Sequence, residues 1–346
     1  MNTRTITFTR ALALGLVFAL AAAPAAQAQA PAKPQVDAAM KAAFDKYRTL
    51  KEGKNADYIP ALAKVDSNIY GIALVGVDGS VNTTGDITSE VSIQSISKVF
   101  TMAKVMEESG ADFIANTIGV DSTGMRFNSI VAVEMANKVL GGPEMNSLVN
   151  PGAIATTSLV QGATRDEIWN KILSFYSDCA GRPLKVNQEV FKSEADTNQR
   201  NQAIGMLMHA YGYIKSEPNR ATDIYTEQCS VSVNAKDLAM MAATLANGGR
   251  NPATKKQVIK TENVPKILAV MATAGLYDDS GKWLFRTGLP GKSGVGGGII
   301  AVSPGKFGIA VISPPLDEAG NSVRAQKAIA DISNALGGNP YAMQPK

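Results

Sequence analysis

Apolar residues along this chain change period several times, and each change marks an element. Residues 69–77 form a continuous run rich in Ile and Val, closed by Asp78-Gly79. That pattern predicts a buried strand turning into a hairpin through a type I′ turn. Residues 95–108 place Val99, Met102, Val105 and Met106 on one helical face. Residues 37–50 are also helical in pattern, after a loose leader over 31–36. From about 128 to 249 almost every periodic segment is helical. Thr164-Arg165-Asp166-Glu167 reads as a capping box, a helix is expected over about 201–213, and residues 235–246 end in a left-handed stop at Asn247-Gly248-Gly249. Strand patterns return at 283–287, 299–302 and 307–312, separated by Gly, Pro and Ser turns, before a last helix over about 323–336.

Strands at both ends and helices between them predict an α+β fold. One antiparallel sheet is built from both chain ends and flanked by helices. A mainly helical lobe (about 110–260) is inserted into a sheet-containing lobe drawn from about 37–109 and 261–336. A cleft between the two suits a small ligand.

The first residues change the picture of where this fold begins. Arg4 and Arg10 precede an uncharged apolar run over 11–23, followed by the small-x-small sites Ala26-Gln27-Ala28 and Ala28-Gln29-Ala30. This is the layout of a secretory signal peptide, with cleavage expected after Ala28 and a mature domain over 29–346. The alternative, an uncleaved anchor, meets a run too short to span a bilayer. The expected location is periplasmic or secreted, with no membrane association after cleavage. Of 34 Lys+Arg and 30 Asp+Glu, the leader carries only the two arginines, leaving 32 against 30 and a mature charge of +2. No basic run stands out, so nucleic acid is not an expected partner.

Composition narrows the chemistry. The chain has 346 residues, 45% hydrophobic, ample for a large core. One histidine excludes a multi-histidine metal site and argues against a Ser-His-Asp hydrolase, since His209 would have to be the base. No metal and no organic cofactor is expected. Two cysteines cannot make a disulfide scaffold; Cys179 and Cys229 could pair in an oxidising compartment, but Cys229 reads as a small buried residue.

Two motifs carry chemistry. In Ser95-Ile96-Ser97-Lys98 a serine at a helix start has a lysine three residues on, on the same face. The helix N-terminus and burial both disfavour an ammonium, and a neutral lysine there can take the serine proton. A second match, Ser303-Pro304-Gly305-Lys306, lies in a turn between strands and is expected to face solvent. Lys292-Ser293-Gly294, ahead of a glycine run, is the lysine-hydroxyl-glycine triplet found after an S-x-x-K helix in serine β-lactamases and penicillin-binding proteins. Backbone N–H groups at Ser95 and near Val295 could form an oxyanion hole. Ser232-Val233-Asn234 only superficially supplies the middle S-x-N element; Asn234 reads as the N-cap of the helix that follows.

These blocks, with Arg126-Phe127-Asn128-Ser129, Asn150-Pro151-Gly152-Ala153-Ile154, Ser193-Glu194, Arg200-Asn201-Gln202, Tyr225-Thr226-Glu227-Gln228 and Tyr277-Asp278, make the chain resemble the serine-dependent glutaminases. The resemblance runs from about Ile59 to Ala335 and implies a β-lactamase-like fold. It implies hydrolysis of L-glutamine to L-glutamate and ammonia, with Ser95 as nucleophile, Lys98 as its activator and Tyr225 as proton shuttle. Ser95, Asn150, Glu194, Asn201, Tyr225, Tyr277 and Val295 would bind the substrate, and a homo-oligomer, dimer or tetramer, is implied. Physically, Glu194 supplies an anion for the amino acid's ammonium, while the asparagines and Tyr277 offer neutral donors. Two features depart from the family: Pro151 stands where Ala is usual, restricting Asn150, and a secretory leader is unusual. The competing readings are another acyl hydrolase of this fold, a β-lactamase or D-alanyl peptidase, and a non-catalytic exported amino-acid-binding protein.

Overall fold

The computed structural model describes residues 30–136 and 145–342, so the expected leader and its cleavage site lie outside the described residues. Among the described residues eight strands form two antiparallel sheets. They are β1 (Gly71–Gly76), β2 (Val81–Gly85), β3 (Val91–Ser92), β4 (Lys185–Val186), β5 (Val231–Val233), β6 (Gly291–Gly294), β7 (Gly298–Ser303) and β8 (Phe307–Ile312). The main sheet has the order β2-β1-β8-β7-β6, and a small one the order β3-β5-β4. In the main sheet β1 pairs with β8, Gly71 opposite Ile312, so the two ends of the chain meet in one sheet as expected. The small sheet has strands of two or three residues, too short to leave a period in the sequence.

Both faces of the main sheet are covered, which is why β1, β7 and β8 read as unbroken apolar runs. Ala73, Val75, Val302, Ala310 and Ile312 join the core shared with the Ala235–Ala246 helix. Ile72, Leu74, Ile299, Ile309 and Val311 pack with Val36 and Met40 of the Lys33–Tyr47 helix and with Ala328, Ile329 and Ile332 of the Val323–Ala335 helix. The helices expected over 235–246 and 323–336 are found within a residue of those limits.

Several boundaries differ, each for a physical reason. The first helix opens at Lys33 rather than 37, because Pro34 sits in its first turn, where a missing N–H costs nothing. The helix expected over 201–213 spans Gln199–Ala210. The segment 283–287 is not a strand. It belongs to the Ser280–Thr287 helix, which buries Trp283 and Thr287 one turn apart and stops at Gly288, φ 65°. After β1 only Gly79 takes a positive φ, 94°, so the turn is not type I′. Gly79 N–H donates to the Gly76 carbonyl, and the Asp78 carboxylate accepts from the Ser80 N–H and hydroxyl. That is a type I turn followed by a left-handed glycine.

Thr164 caps the Arg165–Ala180 helix by accepting from the Glu167 N–H, but Glu167 reaches back to Ala163 N–H instead of completing the box at Thr164. Ser303 does not face solvent: it is buried and its hydroxyl donates to the Gly338 carbonyl, while Lys306 is half-buried and donates to the Gly337 carbonyl. Cys179 and Cys229 are both free and buried. Among the described residues no helix is long and apolar enough to cross a membrane.

Candidate active site

Ser95 does not open the α-helix directly. Gln94–Ile96 is a 3-10 turn leading into the Ser97–Ser109 helix, and Gln94 holds φ at 49°, a conformation a non-glycine residue adopts only when its surroundings impose it. The constraint comes from above and below. The Ser97 hydroxyl donates to the Gln94 carbonyl at 2.6 Å, and the Gln94 side-chain amide donates to Ser92 Oγ at 3.2 Å and to Glu194 Oε2 at 2.9 Å. The turn also packs on β6. A Cβ on Gly294 would lie 2.7 Å from the Ile93 carbonyl oxygen and 3.3 Å from Ser95 N, so only glycine lets the strand come this close. Here the Lys292-Ser293-Gly294 triplet meets the serine turn. The N–H groups of Ser95 and Val295 are not engaged by the surrounding turns.

The other elements deliver one group each. Asn150 begins the Asn150–Ser158 helix, its N–H donating to the Phe127 carbonyl at 2.7 Å. Pro151 sits in that helix's first turn, where proline is at home, so the departure from the family pattern leaves Asn150 in place. Glu194 ends the Gln188–Ala195 helix, Asn201 lies near the start of the Gln199–Ala210 helix, and Tyr225 is carried by the Pro218–Cys229 helix, capped by Glu217. Tyr277, φ 53°, is the second strained non-glycine residue of the site.

Ser95, Asn150, Glu194, Asn201, Tyr225 and Val295 line one pocket of about 150 Å³. Lys98 and Tyr277 stand behind its walls. The Lys98 ammonium is buried and donates to Asn150 Oδ1 at 2.6 Å; the Tyr225 hydroxyl donates to the same oxygen at 3.1 Å. Asn150 Nδ2 in turn donates to Asn201 Oδ1 at 2.9 Å. Tyr277 packs on Phe127 at 4.6 Å between centroids with the rings tilted by 40°, and its hydroxyl donates to the Ser293 carbonyl at 3.4 Å. Lys292 is buried and does not line the pocket: its Nζ donates to the Gly275 and Ser293 carbonyls and lies 4.3 Å from the Tyr277 ring centroid.

Burial sets the electrostatics. Desolvation pulls the Lys98 ammonium down to about 8, against the opposing pull of Cys229 and Glu194. Desolvation pushes the Glu194 carboxyl up to about 7, against the Gln94 hydrogen bond and the Lys98 charge. The Tyr225 phenol is pushed well above its usual value by burial, and Tyr277 up to about 12 by the same cause. Asn150 Oδ1 is therefore shared by a lysine easily deprotonated and a tyrosine held in its phenol form, and Ser95 lines the same pocket as Asn150 and Tyr225.

All eight expected site residues are brought to this pocket or its second layer. Tyr58, Gln94, Phe127, Asn128, Asn198 and Arg200 also line it and were not expected. Gln94, Asn128 and Arg200 sit inside or beside the motifs, but nothing in their spacing announces a pocket. Gln94 acquires its role only through a backbone conformation and through Glu194, one hundred residues later.

Asn234 accepts from Lys236 N–H and Asp237 N–H, and the Asp237 carboxylate accepts from Asn234 N–H, a complete capping box. The S-x-N reading fails at this residue.

The glutaminase family model matches residues 53–341. A glutaminase of Colwellia psychrerythraea is 50% identical over 311 residues, covering 90% of this chain and 99% of that protein. Among solved structures, a probable glutaminase, ybaS, superposes with a TM-score of 0.87 at 45% identity, covering 90% of this chain and 99% of the other. A probable glutaminase from Bacillus subtilis, solved with 6-diazo-5-oxo-L-norleucine, gives 0.75 at 27% identity, covering 89% and 95%. The fold is thus the α+β, β-lactamase-like one expected from the sequence, and the chain belongs to the glutaminase family.

Proposed function

We propose that the protein hydrolyses L-glutamine to L-glutamate and ammonia through a glutamyl ester on Ser95. The observation that carries this reading is the convergence of Lys98 and Tyr225 on Asn150 Oδ1 beside Ser95, in a pocket whose other wall is the buried Glu194 carboxylate. In this mechanism Ser95 Oγ attacks the side-chain amide carbon and its proton passes to neutral Lys98. The oxyanion that forms is met by the N–H groups of Ser95 and Val295. The C–N bond breaks as Tyr225, kept protonated by burial, gives its proton to the departing nitrogen. Water then attacks the ester, its proton returns to Tyr225, and Lys98 restores the Ser95 hydroxyl.

Glu194 holds the α-ammonium, and the asparagine amides receive the α-carboxylate. The probable glutaminase solved with 6-diazo-5-oxo-L-norleucine supports a pocket that admits electrophilic glutamine analogues. The β-lactamase and D-alanyl peptidase alternatives lack support, because Asn234, the residue their S-x-N element would need, is used as a cap. The competing binding-protein reading has no role for a buried Lys98 beside Ser95. The leader pattern supports export of the mature chain to the periplasm or beyond, and the family resemblance supports self-association. Ammonia release by the purified protein with L-glutamine, L-asparagine and a β-lactam tests the reading. Turnover of glutamine is expected, and its absence, or faster turnover of the β-lactam, overturns it.

A further inference from the structure

The glutamine pocket continues into a second cavity. Asn128 and Arg200 line both, while Met125, Arg126 and Ser129 line only the outer one. The Arg200 guanidinium is anchored, its Nε donating to the Asn128 carbonyl at 2.9 Å. Neither Arg126 nor Arg200 is paired with a carboxylate among the described residues. Of these two guanidiniums without an anion, Arg200 stands on the wall the two cavities share and Arg126 in the outer one alone.

Charge inside the pocket is distributed unevenly. An anion, Glu194, meets the ammonium of the amino acid, but the groups offered to its α-carboxylate, Asn150 and Asn201, are neutral amides. A neutral amide donates equally well to a carboxylate and to a peptide carbonyl. Fixed positive charge lies on the shared wall, at Arg200, and in the outer cavity, at Arg126, the side toward which an additional residue of roughly 3.5 Å would extend.

From this arrangement, and resting on the glutaminase reading above, we propose that the outer cavity is a carboxylate subsite that admits dipeptides with L-glutamine at their N-terminus. The reaction is the same: the side-chain amide of the N-terminal glutamine is hydrolysed, ammonia leaves, and the peptide bond stays intact. The free α-ammonium remains on Glu194, the peptide carbonyl takes the place of the α-carboxylate at the asparagines, and the terminal carboxylate meets Arg126 and Arg200.

The test follows ammonia release at low ionic strength with L-glutamine, L-glutaminyl-glycine, L-glutaminyl-glycinamide and glycyl-L-glutamine, with mass spectrometry of the peptide products. Glutaminyl-glycine should yield glutamyl-glycine, with KM about fivefold below that of its amide, the scale of an exposed ion pair. That advantage should shrink at high salt and vanish in Arg126→Gln, which should keep its fold by circular dichroism and its parameters for glutamine. Glycyl-L-glutamine, whose α-amine is blocked, should be inert. The proposal is overturned if glutaminyl-glycine is not deamidated while glutamine is. Equal KM for acid and amide, or an Arg126→Gln variant that leaves their ratio unchanged or impairs glutamine itself, also overturns it. Failure to hydrolyse glutamine would instead remove the glutaminase reading, and this proposal with it.

Discussion

Lys98 and Tyr225 do not bond to each other; they donate to one shared oxygen, Asn150 Oδ1, at 2.6 and 3.1 Å. The two groups to which we assign proton transfer are thus held in register by a third that cannot titrate. Asn150→Asp would put a charge at that oxygen and favour the Lys98 ammonium. The acid limb of the pH–kcat profile should move to higher pH by about a unit or more. Asn150→Ala should lower kcat by roughly a hundredfold through lost positioning, with a smaller change in KM. A profile unmoved in the Asp variant would separate Asn150 from the proton-transfer groups.

Ser95→Ala should abolish turnover while the protein remains folded and binds glutamine. Lys98→Ala should be nearly as damaging, and the double variant little worse than either, since residues acting as one unit are not additive. An electrophilic glutamine analogue should label the peptide containing Gln94 to Lys98, as read by mass spectrometry. Label on Ser293 or Ser303 would assign the nucleophile elsewhere.

Glu194 and Lys98 give the enzyme a defined pH response. The mechanism uses ionised Glu194 and neutral Lys98, and these forms are reached as pH rises through about 7 and about 8 respectively. Activity should therefore climb through that interval and be low at pH 6. Stability follows the opposite logic. A carboxyl raised from 4.5 to about 7 in the folded state stabilises the fold below 4.5, and that contribution is lost as pH rises to 7. An amine lowered from 10.5 to about 8 costs stability below 8, and stability is regained between 8 and 10.5. These two groups place their stability minimum near neutral pH. Glu194→Gln should remove the decline between pH 5 and 7 and raise the melting temperature at pH 7, a gain of a few kcal/mol at most. Thermal unfolding across pH on both proteins measures it.

The same substitution should weaken glutamine binding by about 2–5 kcal/mol, the range for truncating one partner of a buried charge pair. Glutamine analogues lacking the α-amine should already be poor substrates of the parent. Comparable kcat/KM for such an analogue would reassign Glu194.

Asn234→Ala separates a cap from a catalytic residue. It removes two hydrogen bonds at the head of the Ala235–Ala246 helix and should cost about 1 kcal/mol in denaturant unfolding. kcat on glutamine should be unchanged. A large loss of kcat at unchanged stability would restore the S-x-N role.

The sequence was informative wherever one segment determines its own structure. The apolar runs of β1, β7 and β8 announced a sheet buried on both faces, and Asn234 and Gly248 marked the ends of a helix. Ser95, Lys98 and the Lys292 triplet were legible because their spacing is chemical. It failed where tertiary contact decides. A short amphipathic helix over 280–287 shows too few turns to reveal its period against a strand's, and the Gly288 stop was the only cue. Ser303 is buried because a carbonyl thirty-five residues later accepts its hydroxyl. Gln94, Tyr58 and Arg200 reach the pocket through packing alone, and the strained φ of Gln94 and Tyr277 leaves no trace in residue type.

The pairing of β1 with β8 has a consequence for how the protein comes to be. Gly71 finds Ile312 only after the intervening chain has been made, and β6, which completes the wall beside Ser95, lies in that last stretch. Closing so long a loop is slow, because chain entropy is lost before the contacts repay it. Ser95, the proposed nucleophile, is synthesised early, yet the N–H pair proposed to meet its oxyanion is complete only when the final strands have docked. Catalytic competence is then a late, all-or-none event, and ammonia release from a refolding sample would serve as a clock for sheet closure.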